Sequence, residues 1–189
     1  MFIEDYIKES IETKQRLLAD KNIIQIIEDA SKAIINAYKN GNKVLTAGNG
    51  GSANDAQHIA GELVAKFYLE RKGLSAYALT TNSAIMTAIG NDSGYEHLFE
   101  RQVQANGVKG DVLIALSTSG NSENIILALK EAKKNGLITV GLTGAKPSKM
   151  DDLCDYLIKI PSTDTPKIQE SHVMVGHIIC AYVERELFG

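Results

Sequence analysis

The chain has 189 residues, 44% apolar and 23% charged, with a formal net charge of −3. That balance is ordinary for a globular domain long enough to bury a real core. It supplies no basic field for non-specific nucleic-acid binding, and no apolar run approaches the roughly 20 residues of a membrane helix.

In chain order, residues from about 3 to 39 predict two helices, with Ile7, Ile11, Leu17 and Leu18, then Ile23, Ile26, Ile27, Ala30, Ala33 and Ile34 at helical spacing. The start, Met1-Phe2-Ile3-Glu4-Asp5, lacks the basic segment and apolar block of a secretory signal, so a cytoplasmic location is expected. Gly41 ends the helical region. Strand-like runs at 43–47, 75–79, 111–116, 137–142 and 156–160 then alternate with helical patterns at 53–67, 83–89, 122–135, 148–153 and 166–187. Near-continuous apolar strands separated by helices predict an α/β fold, a doubly wound parallel sheet of five strands flanked by helices. One domain spans 1–189, with the helices of 1–40 packing on it or on an oligomer partner. Thr165 is the expected cap of the last helix, with Pro166 at its first position. Cys154 and Cys180 form neither a CxxC pair nor a disulfide framework, and read as small buried hydrophobes.

Two loops carry the chemistry. Gly48-Asn49-Gly50-Gly51-Ser52 follows the first strand and opens into a helix, whose outward N–H groups can hold an anion. No Lys-Ser/Thr follows at Walker spacing, and Ala53 stands at the third position of GxGxxG, which disfavours a nucleotide. Ser117-Thr118-Ser119-Gly120-Asn121-Ser122 follows the third strand, and its hydroxyls beside a helix start suit a phosphate; simple capping by Asn121 or Ser122 is the plainer alternative. In a parallel sheet both loops emerge at the carboxyl edge, where α/β ligands bind. His58 and Glu62, four residues apart, share a helix face as an acid–base or metal pair, or as a surface pair of little energy. Gln169, His172 and His177 are polar exceptions in an apolar helix. Asn91 and Asp92 either touch substrate hydroxyls or shape a polar turn that runs to His97.

Taken together, these residues resemble the sugar-isomerase (SIS) domains and, within them, the phosphoheptose isomerases. The resemblance covers essentially the full length. It rests on Gly48–Ser52, His58-x3-Glu62, Gly90-Asn91-Asp92, Ser117–Ser122 and Ile168-Gln169-Glu170-x-His172-x4-His177. It implies a flavodoxin-like SIS fold and conversion of sedoheptulose 7-phosphate into D-glycero-D-manno-heptose 7-phosphate. That reaction is the first step toward the heptoses of bacterial surface polysaccharide such as lipopolysaccharide. By the same resemblance Ser117, Thr118, Ser119 and Ser122 would hold the phosphate, and Asn49, Gly50, Gly51, Ser52, Asn91 and Asp92 would line the sugar, with Glu62 and Gln169 also contacting it. His58, Glu62, Gln169 and His177 would bind one zinc ion per subunit, with Glu62 and His177 as catalytic proton carriers. Some relatives carry an acidic residue where Pro166 stands and arginine where Lys66 stands.

Such chemistry is coherent: an aldose–ketose exchange through an enediol needs a base, an acid and something to stabilise negative oxygen. Gln169 and His177 lie eight residues apart, about 12 Å of helix rise, which predicts that residues from different subunits complete each site of a homo-oligomer, with the Glu62–His177 pair drawn from separate protomers. The resemblance points to a tetramer. The competing expectation is a non-catalytic SIS module, a sugar-phosphate sensor or a replication-initiator-binding protein, which would not need His58, Glu62, Gln169 and His177 together.

Overall fold

The computed structural model describes all 189 residues. Helices α1 (Phe2–Ala19) and α2 (Lys21–Lys39) meet at Asp20, whose carboxylate accepts from the amides of Asn22 and Ile23 at 3.0 and 3.2 Å and so caps α2. Strand β1 (Val44–Gly48), α3 (Gly51–Val64), β2 (Ala76–Ala78), α4 (Ser83–Asp92) and α5 (Leu98–Asn106) follow. Then come β3 (Val112–Leu116), α6 (Glu123–Lys134), β4 (Ile138–Thr143), β5 (Tyr156–Lys159) and α7 (Thr165–Phe188). Short 3₁₀ turns occupy Tyr95–His97 and Lys149–Asp152.

All five strands are parallel, in the order β2-β1-β3-β4-β5. The order reverses at β1, so the crevice between β1 and β3 is the switch point at which such sheets take ligands. Gly48 is paired with Leu116, which brings the glycine and serine loops out side by side.

Alternation along the strands builds two cores. Val44, Val112, Ile114, Leu116, Val140 and Leu142 face α2, α3 and α7, while Leu45, Ala47, Leu113 and Ala115 face α5 and α6. By contrast, α1 buries only Thr13 and Leu17 and leaves Phe2, Ile3, Ile7, Ile11 and Leu18 exposed.

The structure departs from the sequence expectations in three places. Residues 98–106 form a helix where no element was expected, because only Leu98, Phe99 and Val103 supply its apolar side; its fourth inward residue is Gln102, whose amide donates to the carbonyls of Leu79 and Leu98. Asn91 and Asp92 close α4 rather than forming a turn. Thr165 is already helical, and Asp164 occupies the cap position without a side-chain bond; Pro166 has no N–H to satisfy, which lessens the need for one.

Candidate active site

At the carboxyl edge of the sheet, α3 begins after Gly50, whose φ of 57° needs glycine, and no side chain caps it. Nor does any side chain cap α6 or α7, whereas α2 and α4 carry caps from Asp20 and Asn82. The first N–H groups of α3 and α6, the helices that follow the two strands flanking the switch point, are thus left without a side-chain cap. Ser122 stands at the cap position of α6 but turns its hydroxyl into the loop, 3.0 Å from the Ser117 hydroxyl. The capping alternative fails there, and the hydroxyls of Ser117, Ser119 and Ser122 cluster. Beside them lies a polar cavity of about 200 Å³ lined by Thr118, Ser119, Lys146, Ser162, Thr163 and Thr165 among others.

Asn124, buried in the first turn of α6, ties the two loops together. Its amide donates to Asn49 Oδ1 at 2.9 Å and accepts from Asn49 Nδ2 at 2.8 Å. The Tyr95 hydroxyl donates to the same Asn49 oxygen at 2.9 Å. Asn124 and Tyr95 do not stand out in the sequence, since nothing local distinguishes them from helix and turn residues.

Helices α3 and α7 lie side by side in parallel. Gly51 meets Gln169, Ile59 meets Gly176, and the Cys180 thiol lies against the Ile59 carbonyl. This alignment brings His177 to the pair already formed on α3. His58 Nε2 is 3.0 Å from Glu62 Oε1 and 3.3 Å from His177 Nε2, and one donor atom from each of the three residues lies within 4.8 Å of the others. The Phe67 ring packs 5.5 Å from the His177 ring. Two imidazole nitrogens face one another beside a carboxylate, the donor set of a divalent-metal site with three protein ligands.

The expected division of the Glu62–His177 pair between protomers is thus corrected: one chain supplies His58, Glu62 and His177, because two helices 119 residues apart in sequence are packed in register. Gln169 is set apart. Its carboxamide stands where a Cβ on Gly51 would be, two helical turns from His58. His172 is also apart, fully buried with Nε2 3.4 Å from the Thr143 carbonyl, and burial pushes its pKa down to about 4. His97 pairs with Glu100, and Lys66 with Glu70. Asn91 and Asp92 are exposed and hydrogen-bonded to each other at 2.8 Å. Cys180 is buried and Cys154 half-buried, both free.

A family model described as "SIS domain" matches residues 5–144. Over 188 residues the chain is 60% identical to phosphoheptose isomerase 2 of Campylobacter jejuni, covering 100% of this chain and 94% of that protein. The chain belongs to the phosphoheptose isomerase family. It is 59% identical to the phosphoheptose isomerase of Aneurinibacillus thermoaerophilus, over 99% of this chain and 94% of the relative. The solved phosphoheptose isomerase of Francisella tularensis superposes with a TM-score of 0.92 at 35% identity, covering 97% and 96% of the two chains. Membership makes the chain a phosphosugar isomerase and sets aside the non-catalytic SIS reading. No helix is long and apolar enough to cross a membrane.

Proposed function

We propose that this chain interconverts sedoheptulose 7-phosphate and D-glycero-D-manno-heptose 7-phosphate in bacterial heptose synthesis, through an enediol. The observation that carries the reading is the His58–Glu62–His177 cluster, two helical turns along α3 from the carboxyl edge of the sheet at which the hydroxyl-lined serine loop also emerges. In this reading the phosphate rests on Ser117, Thr118, Ser119 and Ser122 with the free N–H groups of α6. The sugar runs along Asn49, Gly50, Gly51 and Ser52, with Asn91, Asp92 and Gln169 as further contacts.

Glu62 Oε1 is engaged by His58 and its Oε2 has no protein partner, so one carboxylate oxygen is free to move the proton between adjacent carbons. His177 exchanges the proton on the sugar oxygens, and the Phe67 ring packs against it at a tilt of 46°. His58, Glu62 and His177 fit one zinc ion by donor type and mutual spacing and would hold it. An ion held there supplies Lewis-acid stabilisation of negative charge on the enediol oxygens. Gln169, lying against Gly51, is assigned to the sugar rather than to the metal.

The same reading includes a homotetramer in the cytoplasm. It is supported by the exposed apolar residues of α1 and by an apolar groove of about 480 Å³ between α1, α2 and α7, lined by Leu17, Leu18, Ile27, Met174, Ile178 and Tyr182 among others. Partner subunits then add substrate-lining surface, while both proton carriers remain in one chain.

The test is turnover of sedoheptulose 7-phosphate by the purified protein, with and without chelator, alongside Glu62→Gln and His177→Ala. Wild-type turnover that disappears in both variants is expected. No wild-type turnover with any divalent metal overturns the reaction, and activity unchanged by both substitutions overturns the assignment of proton carriers.

A further inference from the structure

Seven residues beyond His177, on the same face of α7, stands Glu184; nine residues beyond Glu62 stands Arg71. Their side chains are each 2% exposed and joined by a 2.8 Å bond from Arg71 Nε to Glu184 Oε2. A buried ion pair persists only where its remaining valences are satisfied. Here they are satisfied by the chain around the active site. The last turn of α3 leaves orphan carbonyls and carries no basic residue of its own. Arg71 supplies the donors: Nη2 reaches the carbonyl of Glu62 at 3.0 Å, and Nη1 the carbonyls of Leu63 at 3.0 Å and Lys72 at 3.2 Å. Glu184 in turn accepts the amides of Phe67 at 2.9 Å, Tyr68 at 2.5 Å and Leu69 at 2.7 Å.

This clamp grips the proposed reacting groups from both sides. It holds Glu62 through that residue's own carbonyl. It holds Phe67 through its amide, and the Phe67 ring packs against His177. It also locks α3 to α7 at one end of their seam, where Gly176 lets Ile59 approach in the middle and Gln169 meets Gly51 at the other end. A rotation of α3 about its axis, or a slide along α7, would carry Glu62 away from His177. The planar fork of Arg71 serves five acceptors at once, the Ala65 carbonyl at 3.5 Å being the fifth, which a lysine ammonium does not reproduce.

We propose that Arg71 and Glu184 are positioning residues that set the geometry between the Glu62 carboxylate and the His177 imidazole. The proposal rests on the reading of those two groups as the proton carriers, so its test has an arm that does not depend on turnover. In Arg71→Lys and Glu184→Gln, kcat for sedoheptulose 7-phosphate is expected to fall at least about tenfold with KM within about twofold, since small misplacements of reacting groups act on the chemical step. The ring ¹H–¹⁵N signals of His58 and His177, recorded without substrate, are expected to shift in both variants, while those of His97, outside the seam, stay in place. Folded variants with wild-type kcat and unshifted His58 and His177 signals overturn the proposal and leave the pair a structural staple. Should Arg71→Lys not fold, the isosteric Glu184→Gln, measured below its unfolding midpoint, decides between the same two outcomes. Failure of the proposed reaction registers separately, as a wild-type chain without turnover, and the NMR arm then still decides the clamp.

Discussion

The two ends of the candidate active site are made of different material. At the strand tips the groups on offer are hydroxyls of Ser117, Ser119 and Ser122 and N–H groups of helices without side-chain caps. Along the α3–α7 seam they are two imidazoles and a carboxylate. The first set is suited to holding a charged group without exchanging protons with it, and the second to exchanging protons or holding a cation. Substitutions at the tips should therefore act on binding, and substitutions along the seam on the chemical step or on metal retention.

The sharpest way to break that division is Glu62→Gln, expected to lower kcat by about a thousandfold with little change in KM, the scale of a lost acid–base group. A large rise in KM instead would erase the distinction between the two ends. His58→Ala removes one of the three proposed metal donors and should weaken Co²⁺ binding, followed by visible absorption, by at least about a hundredfold; even outer partners of such ligands cost 10–100-fold. At the other end, Ser117→Ala should raise KM by roughly tenfold and leave kcat nearly unchanged, as expected for one hydrogen bond to a charged group.

Gly51→Ala probes the join between the ends. Its new methyl group would displace only the flexible tip of Gln169, so the unfolding midpoint should hold while kcat/KM falls several-fold, measured by steady-state kinetics. The smallest effect at neutral pH concerns acid. Burial pushes the Glu184 carboxyl up, but the amides of Phe67, Tyr68 and Leu69 and the Arg71 guanidinium outweigh it and hold its pKa at about 2. A depressed carboxyl contributes stability above its ordinary 4.5 that is lost as pH falls toward 2. Urea unfolding across that window should show a steep loss in wild type and a shallower one in Glu184→Gln.

Much of the architecture was legible because it is local. Near-continuous apolar runs alternate with segments of helical spacing, and this places β1, β3, β4, α3 and α6 to within two or three residues. Helix α5 escaped because Gln102 occupies one of its four buried positions. The serine loop was legible as a cluster of hydroxyls, but whether Ser122 capped α6 or faced the loop depended on its rotamer, which the surrounding fold decides.

By itself the sequence determined the parallel α/β class, the two small-residue loops at one edge, and the pairing of His58 with Glu62, since each follows from spacing within a few residues. Only the tertiary structure decided that His177 completes that pair within one chain, that Gln169 stands at Gly51, and that Arg71 and Glu184 close the seam across 113 residues. Helix periodicity states which face a residue occupies. It is silent on which helix lies opposite and in what register, because burial of the whole core sets that.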